Sequence, residues 1–474
     1  MKFIHNFSPI INFNSNMKQF FAVILLFSTT FFSTIFAQNA NKGLVSGPML
    51  GYVEHRAAMI WAEVGIDVNV IQINYWEKGK RDSFQTVFPS GIDAESMDNT
   101  PFYPVKFELN NLRMNTTYEY QVLINETPVL IKYPLTFKTK ELWEWRKPAP
   151  DFSFLTGSCA YINDPEYDRP KPYGNDPNIF RTMAKTPASF MLWLGDNNYL
   201  READYSSNYG IAYRYSHDRA TPELQPLLAA MPHFAIWDDH DYGPNDSDKS
   251  WVLKESARKC FQKYWCNHSC GEDKKGVYTH MRYGDCEFFM LDNRYFRSAD
   301  DMLDSINGKP NEDKLMFGKQ QMDWLKNALL SSNATFKFIV SGSQVLNPII
   351  KSENWRSYPY EFQDFMNFLD NNRLSGVLFL SGDIHRTEII KIDRKNNYSL
   401  FDITSSSITA GANTQKLNEN PYRIGGSVQE NNFTKVSVSG PKNDRSLKFE
   451  FININGEIKS EFKISEKELK TPRF

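Results

Sequence analysis

The sequence has little net charge, and this shortage excludes broad classes of partner. Its 54 lysine and arginine residues nearly balance its 56 aspartate and glutamate residues, which leaves a formal charge of -2. A balanced chain gives no global reason to bind nucleic acid or an anionic membrane, so any affinity for anions must be local. We therefore expect no nucleic-acid partner, and the composition leaves the oligomeric state open.

Long apolar runs are scarce as well, apart from one near the N-terminus. After Met17 and a lysine, apolar residues run from 20 to 26, and smaller residues continue to a cleavage-like Ala37-Gln38 pair. Serine and threonine interrupt the later part of this segment, which favours a secretion signal over residues 1–37 and weakens a membrane anchor. No twin-arginine pair precedes the run, and no cysteine follows it to accept a lipid. We predict translation from Met17 and a periplasmic or extracellular product with no membrane segment in the mature chain.

Internal repeats and low-complexity tracts are also absent, and the residue pattern instead changes once along the chain. Over 44–140, short alternating segments separated by turn residues predict a small β-sandwich. The residues around Tyr118 resemble the fibronectin type III pattern, in which a tyrosine near a strand start hydrogen-bonds back across a corner. A stretch with two tryptophans and two prolines predicts a linker over 141–150. A second domain is predicted over 151–474.

This second domain alternates short apolar strands with longer helical segments, which predicts an α/β class. Two helices are predicted at 322–330 and 360–369. The predicted strands lie at 152–155, 190–194, 233–237, 288–291, 336–340 and 376–380. Each strand is followed, at once or after one residue, by Gly, Asp or Ser. Functional groups of α/β proteins collect at the carboxyl ends of strands, so these positions are the first place to look for a site.

Four strand ends carry residues suited to binding metal ions. They are Gly157-Ser158-Cys159, Gly195-Asp196-Asn197-Asn198-Tyr199, Asp238-Asp239-His240-Asp241 and Gly382-Asp383-Ile384-His385. Carboxylates bridge cations, imidazole suits a transition metal, and thiolate or phenolate suits iron. A single Gly-Asp pair is usually a turn, and a lone cysteine or histidine is usually a core residue. Four such ends in one chain favour a metal cluster, which can neutralise phosphoryl oxygens and activate water.

In this order, the motifs Gly-Ser-Cys, Gly-Asp-x-x-Tyr, Trp-Asp-Asp-His-Asp-Tyr-Gly-x-Asn-Asp and Gly-Asp-x-His resemble the alkaline phosphatase D (PhoD-like) family of calcineurin-like metallophosphoesterases. The resemblance covers nearly the whole mature chain, and the third motif, at 237–246, is the most specific. It implies an α/β metallophosphatase-type β-sandwich flanked by helices and preceded by a small all-β, fibronectin III-like sandwich. It also implies a secreted, metal-dependent hydrolase of phosphate monoesters or diesters that uses metal-bound hydroxide on a small phosphate-ester substrate.

The resemblance further implies which residues bind the metals. Asp196 would bridge an Fe(3+) ion to a neighbouring cation. The implied iron ligands are Cys159, Tyr199 and His385. The implied ligands of Ca(2+) or a similar divalent ion are Asp239, Asn245 and Asp383.

Two further residues would act on the substrate. The resemblance places His240 beside the leaving group, as a general acid or a contact to the phosphoryl group. Arg294 is a candidate phosphate clamp, because a guanidinium matches two phosphoryl oxygens at once. The alternative for Arg294 is a structural salt bridge to Asp292 or to another acid.

The cysteines not assigned to the metal are an even number in a chain predicted to be exported, which predicts two disulfides with three possible pairings. They are Cys260, Cys266, Cys270 and Cys286. A second metal site of His268 with Cys266 and Cys270 is the alternative, but its spacing is irregular and a zinc site normally needs four good ligands.

Two other functions remain open at this stage. The same metals could serve a phospholipase-like or nucleotide-directed phosphodiesterase. The chain could also be a non-catalytic surface-binding protein, although intact ligands at all four strand ends argue against this. The loops at 297–313 and 348–359 are candidates for covering the metals and setting ester preference. Trp355, in the second loop, is expected to be packed rather than to form a substrate platform.

Overall fold

A computed structural model of the chain describes residues 43–90, 100–166, 168, 170–350 and 353–472. The predicted secretion signal lies outside the described residues. Within the described ranges, no helix combines the length and apolar character needed to cross a bilayer.

The N-terminal region forms two antiparallel sheets with an apolar core between them. One sheet has the order β1-β2-β5, and the other has the order β4-β3-β6-β7 with β8 also paired to β6. The strands are β1 (Leu44–Val53), β2 (Ala58–Val64), β3 (Ile71–Glu77), β4 (Gln85–Val87), β5 (Tyr103–Leu109), β6 (Thr117–Ile124), β7 (Thr127–Pro128) and β8 (Thr136–Lys138). Alternate residues such as Ile60, Phe107 and Val122 are fully buried in this core. The predicted tyrosine contact is present, since the Tyr118 hydroxyl accepts a hydrogen bond of 2.8 Å from the backbone N–H of Arg113.

The second region contains two larger sheets of mixed direction. Six strands have the order β11-β10-β9-β21-β22-β23, and seven have the order β12-β13-β16-β17-β19-β18-β20. The strands of both sheets, with the short hairpin β14–β15, are β9 (Phe152–Gly157), β10 (Met191–Leu194), β11 (His233–Ile236), β12 (Thr279–Tyr283), β13 (Cys286–Met290), β14 (Ser305–Ile306), β15 (Lys309–Pro310), β16 (Phe336–Val340), β17 (Val377–Ser381), β18 (Thr387–Ile392), β19 (Leu400–Thr404), β20 (Arg423–Val428), β21 (Asn432–Ser439), β22 (Ser446–Asn453) and β23 (Ile458–Ser465). All six predicted strands are present, as β9, β10, β11, β13, β16 and β17.

The two sheets pack face to face through aromatic side chains. The ring of Phe154 on β9 meets Phe288 on β13 and Phe338 on β16 edge-on, at centroid distances of 5.1 and 5.6 Å. Because the first ring belongs to one sheet and the other two belong to the second sheet, this contact defines a β-sandwich core. The predicted fold class is confirmed, while the predicted domain boundaries stay predictions.

Short helices flank this sandwich. They are α1 (Ile179–Lys185), α2 (Asn208–Arg219), α3 (Gln225–Ala230), α4 (Asp239–Tyr242), α5 (Lys254–Tyr264), α6 (Gly318–Ser331) and α7 (Pro359–Asn371). The last two contain the two helices predicted from the sequence. Trp355 is fully buried against Phe317 and Phe365, at ring distances of 4.7 and 4.9 Å, so it packs in the core as expected.

The N-terminal sandwich is fastened to the second region by polar contacts around a shared apolar cluster. The Nε1 of Trp61 donates to the carbonyl of Lys263 at 2.9 Å. The Nζ of Lys106 donates to the carbonyls of Gln262 and Trp265 at 2.5 and 2.6 Å. Both regions therefore bury side chains in the same interface.

The two predicted disulfides are not formed, because none of the five cysteines is bonded to another cysteine. Cys286 belongs to the core between the two large sheets, whereas Cys260 and Cys266 lie in the cluster beside the N-terminal sandwich, with Cys270 packed against it. Burial raises the pKa of the Cys270 thiol to about 11. The prediction of two disulfides was wrong because an even count of cysteines does not show which core each thiol enters.

Candidate metal centre

The four motif-bearing strand ends meet at one edge of the sandwich. Strands β9, β10 and β11 are parallel neighbours, so their carboxyl ends share an edge. The end of β17, from the other sheet, closes on them at Gly382, where a Cβ would lie 2.7 Å from the Cβ of Ser158 and 2.9 Å from the carbonyl of Leu194. A glycine is needed at this position because the two sheets approach too closely for a side chain. This close approach gathers residues of four separate motifs around one point.

The backbone at these strand ends takes an unusual conformation. The φ angles of Cys159, Asp196, Asp383 and His385 are 61°, 50°, 73° and 56°. The left-handed region costs a residue with a side chain on the order of 1 kcal/mol, so the surrounding structure must hold each of these residues in place. For the loop after β10, the Asp241 carboxylate provides this support by accepting backbone N–H bonds from Asn197 and Asn198.

The predicted iron ligands lie together. The ligand atoms of Cys159, Asp196 and His385 lie within 4.8 Å of one another. The Tyr199 hydroxyl is 3.0 Å from Asp196 Oδ2 and 3.1 Å from His385 Nε2. Cys159, Asp196 and Tyr199 are at most 3% exposed. Thiol, phenol, imidazole and carboxylate donors thus converge in a dry pocket, and such a set fits a strongly Lewis-acidic transition metal.

The His385 ring is held so that its Nε2 faces this group. Its Nδ1 is 2.8 Å from the carbonyl of Gly411 and 2.9 Å from the Tyr173 hydroxyl. A carbonyl only accepts, so the proton lies on Nδ1 and Nε2 keeps its lone pair for a metal. Tyr173 is a supporting residue that the sequence analysis missed, since no motif marks it.

Two further groups extend the cluster in a row. Asp196, Asp239 and His240 form the second, and Asp239, Asp246 and Glu353 form the third, each with ligand atoms within 4.8 Å. Asp196 is shared by the first two groups, and Asp239 is shared by the last two. Two shared carboxylates therefore link three candidate cation positions.

The acids of the cluster disturb each other electrostatically. Burial raises the pKa of Asp196 and of Asp383 well above the ordinary aspartate range, and the negative charges of neighbouring acids raise both further. Burial also raises the pKa of Asp239, but His240 and the nearby guanidinium of Arg294 outweigh it, and the net shift is downward. Carboxylates crowded in a dry site are stabilised by bound cations, so the residues fit a multinuclear metal centre.

Asn245 and Asp383 are placed differently from each other. Asp383 is half-buried beside the cluster and lies outside the three ligand groups, and its backbone carbonyl lies 3.5 Å from Cys159 Sγ. Asn245 is exposed. The next residue, Asp246, belongs to the third group, and its backbone N–H donates to Asp239 Oδ2 at 2.9 Å. Asp246 stands in the quoted third motif but was not assigned a role from the sequence.

His240 lies at the accessible edge of the cluster. Its side chain is 23% exposed, and its Nε2 is 3.9 Å from Asp239 Oδ2. The ring packs on Tyr199 at a centroid distance of 4.2 Å. Its Nδ1 is buried without a hydrogen-bond partner among the described residues. The imidazole is therefore oriented by packing, and its exposed edge faces the side from which a molecule enters.

Arg294 is fully buried and faces acids of the cluster. Its Nε pairs with Asp238 Oδ1, and its Nη2 lies 2.5 Å from Glu353 Oε1 and 3.4 Å from Asp239 Oδ1. Asp292, the partner considered from the sequence, contacts Arg294 through the backbone and not through the guanidinium: it accepts the Arg294 N–H at 3.0 Å. Glu353 belongs to the loop at 348–359 that the sequence analysis singled out, but no pattern in that loop marks it as a contact to the cluster.

Comparisons with known proteins agree with this architecture. The family model described as PhoD-like phosphatase matches residues 154–470. The chain is 25% identical over 410 residues to the alkaline phosphatase D of Bacillus subtilis (strain 168), covering 73% of this chain and 66% of that protein. A solved structure of PhoD is similar with a TM-score of 0.70 and 18% identity, covering 91% of this chain and 92% of the other. The purple acid phosphatase PPD1 from yellow lupin (Lupinus luteus) seeds is similar with a TM-score of 0.64 and 13% identity, covering 88% and 74%.

Proposed function

Because the chain belongs to the PhoD-like phosphatase family, we propose that it hydrolyses small phosphate esters at the buried cluster of carboxylates. The observation that carries this proposal is the row of three ligand groups linked by Asp196 and Asp239. Bound cations would neutralise the phosphoryl oxygens and make water a better nucleophile.

The donor chemistry supports different metals at the two ends of the row. We propose Fe(3+) at Cys159, Tyr199 and His385, because thiolate and phenolate suit iron. We propose Ca(2+) or a similar hard cation among oxygen donors, because such cations take carboxylate and amide oxygens. The proposed calcium ligands are Asp239, Asn245 and Asp383. Asp196 would serve both metals.

In this proposal the chain's own residues orient the reaction and move the proton. Tyr173 and the Gly411 carbonyl keep the His385 Nε2 turned toward the cluster. His240, at the open edge, donates a proton to the oxygen of the leaving alcohol. This role fits the partial exposure of its side chain.

The iron assignment predicts a visible absorption band, since a phenolate bound to ferric iron absorbs visible light. Tyr199→Phe should remove the band while elemental analysis still finds iron held by the other ligands. Tyr161→Phe is a matched control, because Tyr161 packs on the Tyr199 ring at 5.1 Å but its hydroxyl donates to Asp168, at 2.8 Å, which belongs to none of the ligand groups. A colourless, iron-free protein that is fully active would exclude Tyr199 as an iron ligand.

The activity is tested by hydrolysis of a chromogenic phosphate monoester and the matching diester, with and without calcium. Turnover that depends on calcium and accompanies bound iron would support the mixed-metal phosphoesterase, and the ratio of the two rates would give its ester preference. Metal-replete protein that turns over neither ester would favour the surface-binding alternative.

We also propose that the protein is exported. The support is the sequence of residues 1–37 alone. N-terminal sequencing of the mature protein from a periplasmic or culture fraction should begin at or near Gln38. Recovery of the uncleaved chain from the cytoplasm alone would contradict export.

A further inference from the structure

Two buried arginines next to the metal cluster have unused hydrogen-bonding capacity. The side chains of Arg294 and Arg297 are 0% exposed. Each has one nitrogen, Nη1, that is buried without a hydrogen-bond partner among the described residues. Burying a charged donor without a partner is costly, so such a group in a native structure points to a missing ligand. The ligand of a guanidinium is an anion.

The two guanidiniums are anchored from behind by different acids. Arg294 is held by Asp238 through Nε, and Arg297 is held by Asp300, with its Nε 3.2 Å from Oδ1 and its Nη2 2.8 and 2.9 Å from the two oxygens. These contacts fix each planar group without using its Nη1. Fixed guanidiniums with free donors are suited to binding the oxygens of a phosphoryl group.

A carboxylate of the protein itself lies at both guanidiniums. Glu353 Oε1 is 2.5 Å from Arg294 Nη2 and 3.8 Å from Arg297 Nη2. The Glu353 side chain is 18% exposed, so this oxygen lies where a molecule entering from solvent reaches the cluster. The same carboxylate is within 4.8 Å of ligand atoms of Asp239 and Asp246. One oxyanion therefore already occupies the point between the two arginines and the metal cluster.

Glu353 belongs to the third ligand group, but at its Oε1, the oxygen that faces the two arginines, they favour an anion over a cation. A calcium ion bound to Glu353 Oε1 would lie at about 2.3–2.6 Å from it, and hence within about 5 Å of the Arg294 guanidinium. Two positive groups at that distance in a buried site repel strongly. An anion in place of the carboxylate keeps the attraction to both guanidiniums and also faces the proposed cations.

We propose that Arg294 and Arg297 form an oxyanion subsite for the phosphoryl group, and that the Glu353 carboxylate occupies this subsite as an internal competitor that substrate displaces. The inference rests on the proposed function, since it places the subsite at the same cluster. An internal competitor lowers the apparent affinity for phosphate, because phosphate binds only the fraction of molecules in which the subsite is not occupied by the competitor. Removing its charge should therefore strengthen phosphate binding.

The test is a calorimetric titration of the full, metal-replete chain with inorganic phosphate, which does not depend on turnover. Glu353→Gln and Glu353→Ala should each lower the dissociation constant about fivefold or more, as expected when a competing state is removed. Asp301→Asn is the matched control, because it removes an exposed carboxylate from the neighbouring loop, and it should leave the constant unchanged.

Arg297→Gln in the Glu353→Gln background should weaken phosphate binding again, because it removes one of the two guanidiniums of the subsite. Thermal melting of each variant checks that it is folded, and Arg297→Lys replaces Arg297→Gln if the latter unfolds. An unchanged or weaker phosphate affinity in both Glu353 variants overturns the inference. Weaker affinity together with loss of bound calcium would make Glu353 a cation ligand instead. Tighter phosphate binding by both Glu353 variants, in a protein that hydrolyses no ester, would support the subsite and overturn the proposed function.

Discussion

Two fully buried arginines, Arg214 and Arg294, each meet three acids, yet only one belongs to the metal centre. The Nε of Arg214 binds Asp204, its Nη1 faces Asp218 and its Nη2 binds Asp164, at 2.9, 3.3 and 3.2 Å. Every nitrogen of that guanidinium is thus satisfied within the protein.

The network around Arg294 is left incomplete. One of its nitrogens has no partner among the described residues. Burial raises the pKa of Asp238, and the guanidinium of Arg294 opposes this rise in part. The cluster also contains more carboxylates than there are guanidiniums nearby. A closed ion-pair network needs nothing else to be stable, whereas an open one needs a ligand. Burial of a charge therefore separates structural from functional groups only when its partners are also counted.

The largest expected effect follows from removing the cations. Chelation under reducing conditions should abolish ester hydrolysis, and readdition of iron and calcium should restore it. Cys159→Ala should lower activity by more than about 100-fold, since changes even outside the direct ligands cost 10- to 100-fold. Cys270→Ala is the control, because Cys270 is also free but lies outside the cluster. Full activity of the cation-free protein would contradict the assignment of the Arg294 network to a metal centre.

The closed network should affect stability alone. Arg214→Ala leaves three buried acids without their guanidinium and should lower the free energy of unfolding by about 3–5 kcal/mol. Urea denaturation measures this loss, and the activity per folded molecule should stay near that of the wild type. A large loss of kcat in the folded variant would show that the Arg214 network also supports catalysis.

Removing the proposed proton donor should affect catalysis alone. His240→Gln should lower kcat by about 10²- to 10³-fold, because a positioned general acid contributes at least that much. The loss should be larger for esters with poor leaving groups, which need the proton most. Equal losses for good and poor leaving groups would assign His240 to phosphoryl contact instead. His217→Gln is a control, since His217 pairs with Asp218 in the closed network.

A third buried network, around the acid Glu63, is intermediate between the closed network of Arg214 and the open network of Arg294. Glu63 accepts a hydrogen bond of 2.6 Å from Ser216 across the interface with the N-terminal sandwich, while its Oε2 has no partner among the described residues. Burial raises its pKa from 4.5 to about 7. The folded state then holds its proton more tightly than the unfolded state, so the contribution of Glu63 to stability is greatest below pH 4.5 and is lost as the pH rises to about 7.

Glu63→Gln should remove this component of the pH dependence, which amounts to at most about 3 kcal/mol over that interval. Denaturation curves at pH 5 and pH 7.5 for wild type and variant measure it. Glu108→Gln, on an exposed position of β5, is the control. Parallel stability curves for wild type and Glu63→Gln would show that this acid is already satisfied.

Much of the fold, and five of the seven residues in the three ligand groups, could be named from the sequence. The strands with continuous apolar runs were correct, because burial on both faces of a sheet leaves a pattern that neighbouring residues show. Asp196 and Tyr199 lie three residues apart in one motif, so a local pattern also indicates that they lie close together. Asp246 was passed over in favour of the adjacent Asn245, since the motif alone does not show which of two exposed neighbours has its side chain near Asp239 and Glu353.

What the sequence by itself determined is local: the strands, the Gly-Asp turns that follow them and the donor types at their ends, because each depends on residues close in the chain. Only the tertiary structure decided which distant groups complete the site. Tyr173 supports His385 from 212 positions away, and Glu353 reaches Arg294 from 59 positions away. It also decided that the cysteines enter different cores and form no disulfide. Contacts of this kind depend on how the sheets pack, and no short pattern in the chain records that packing.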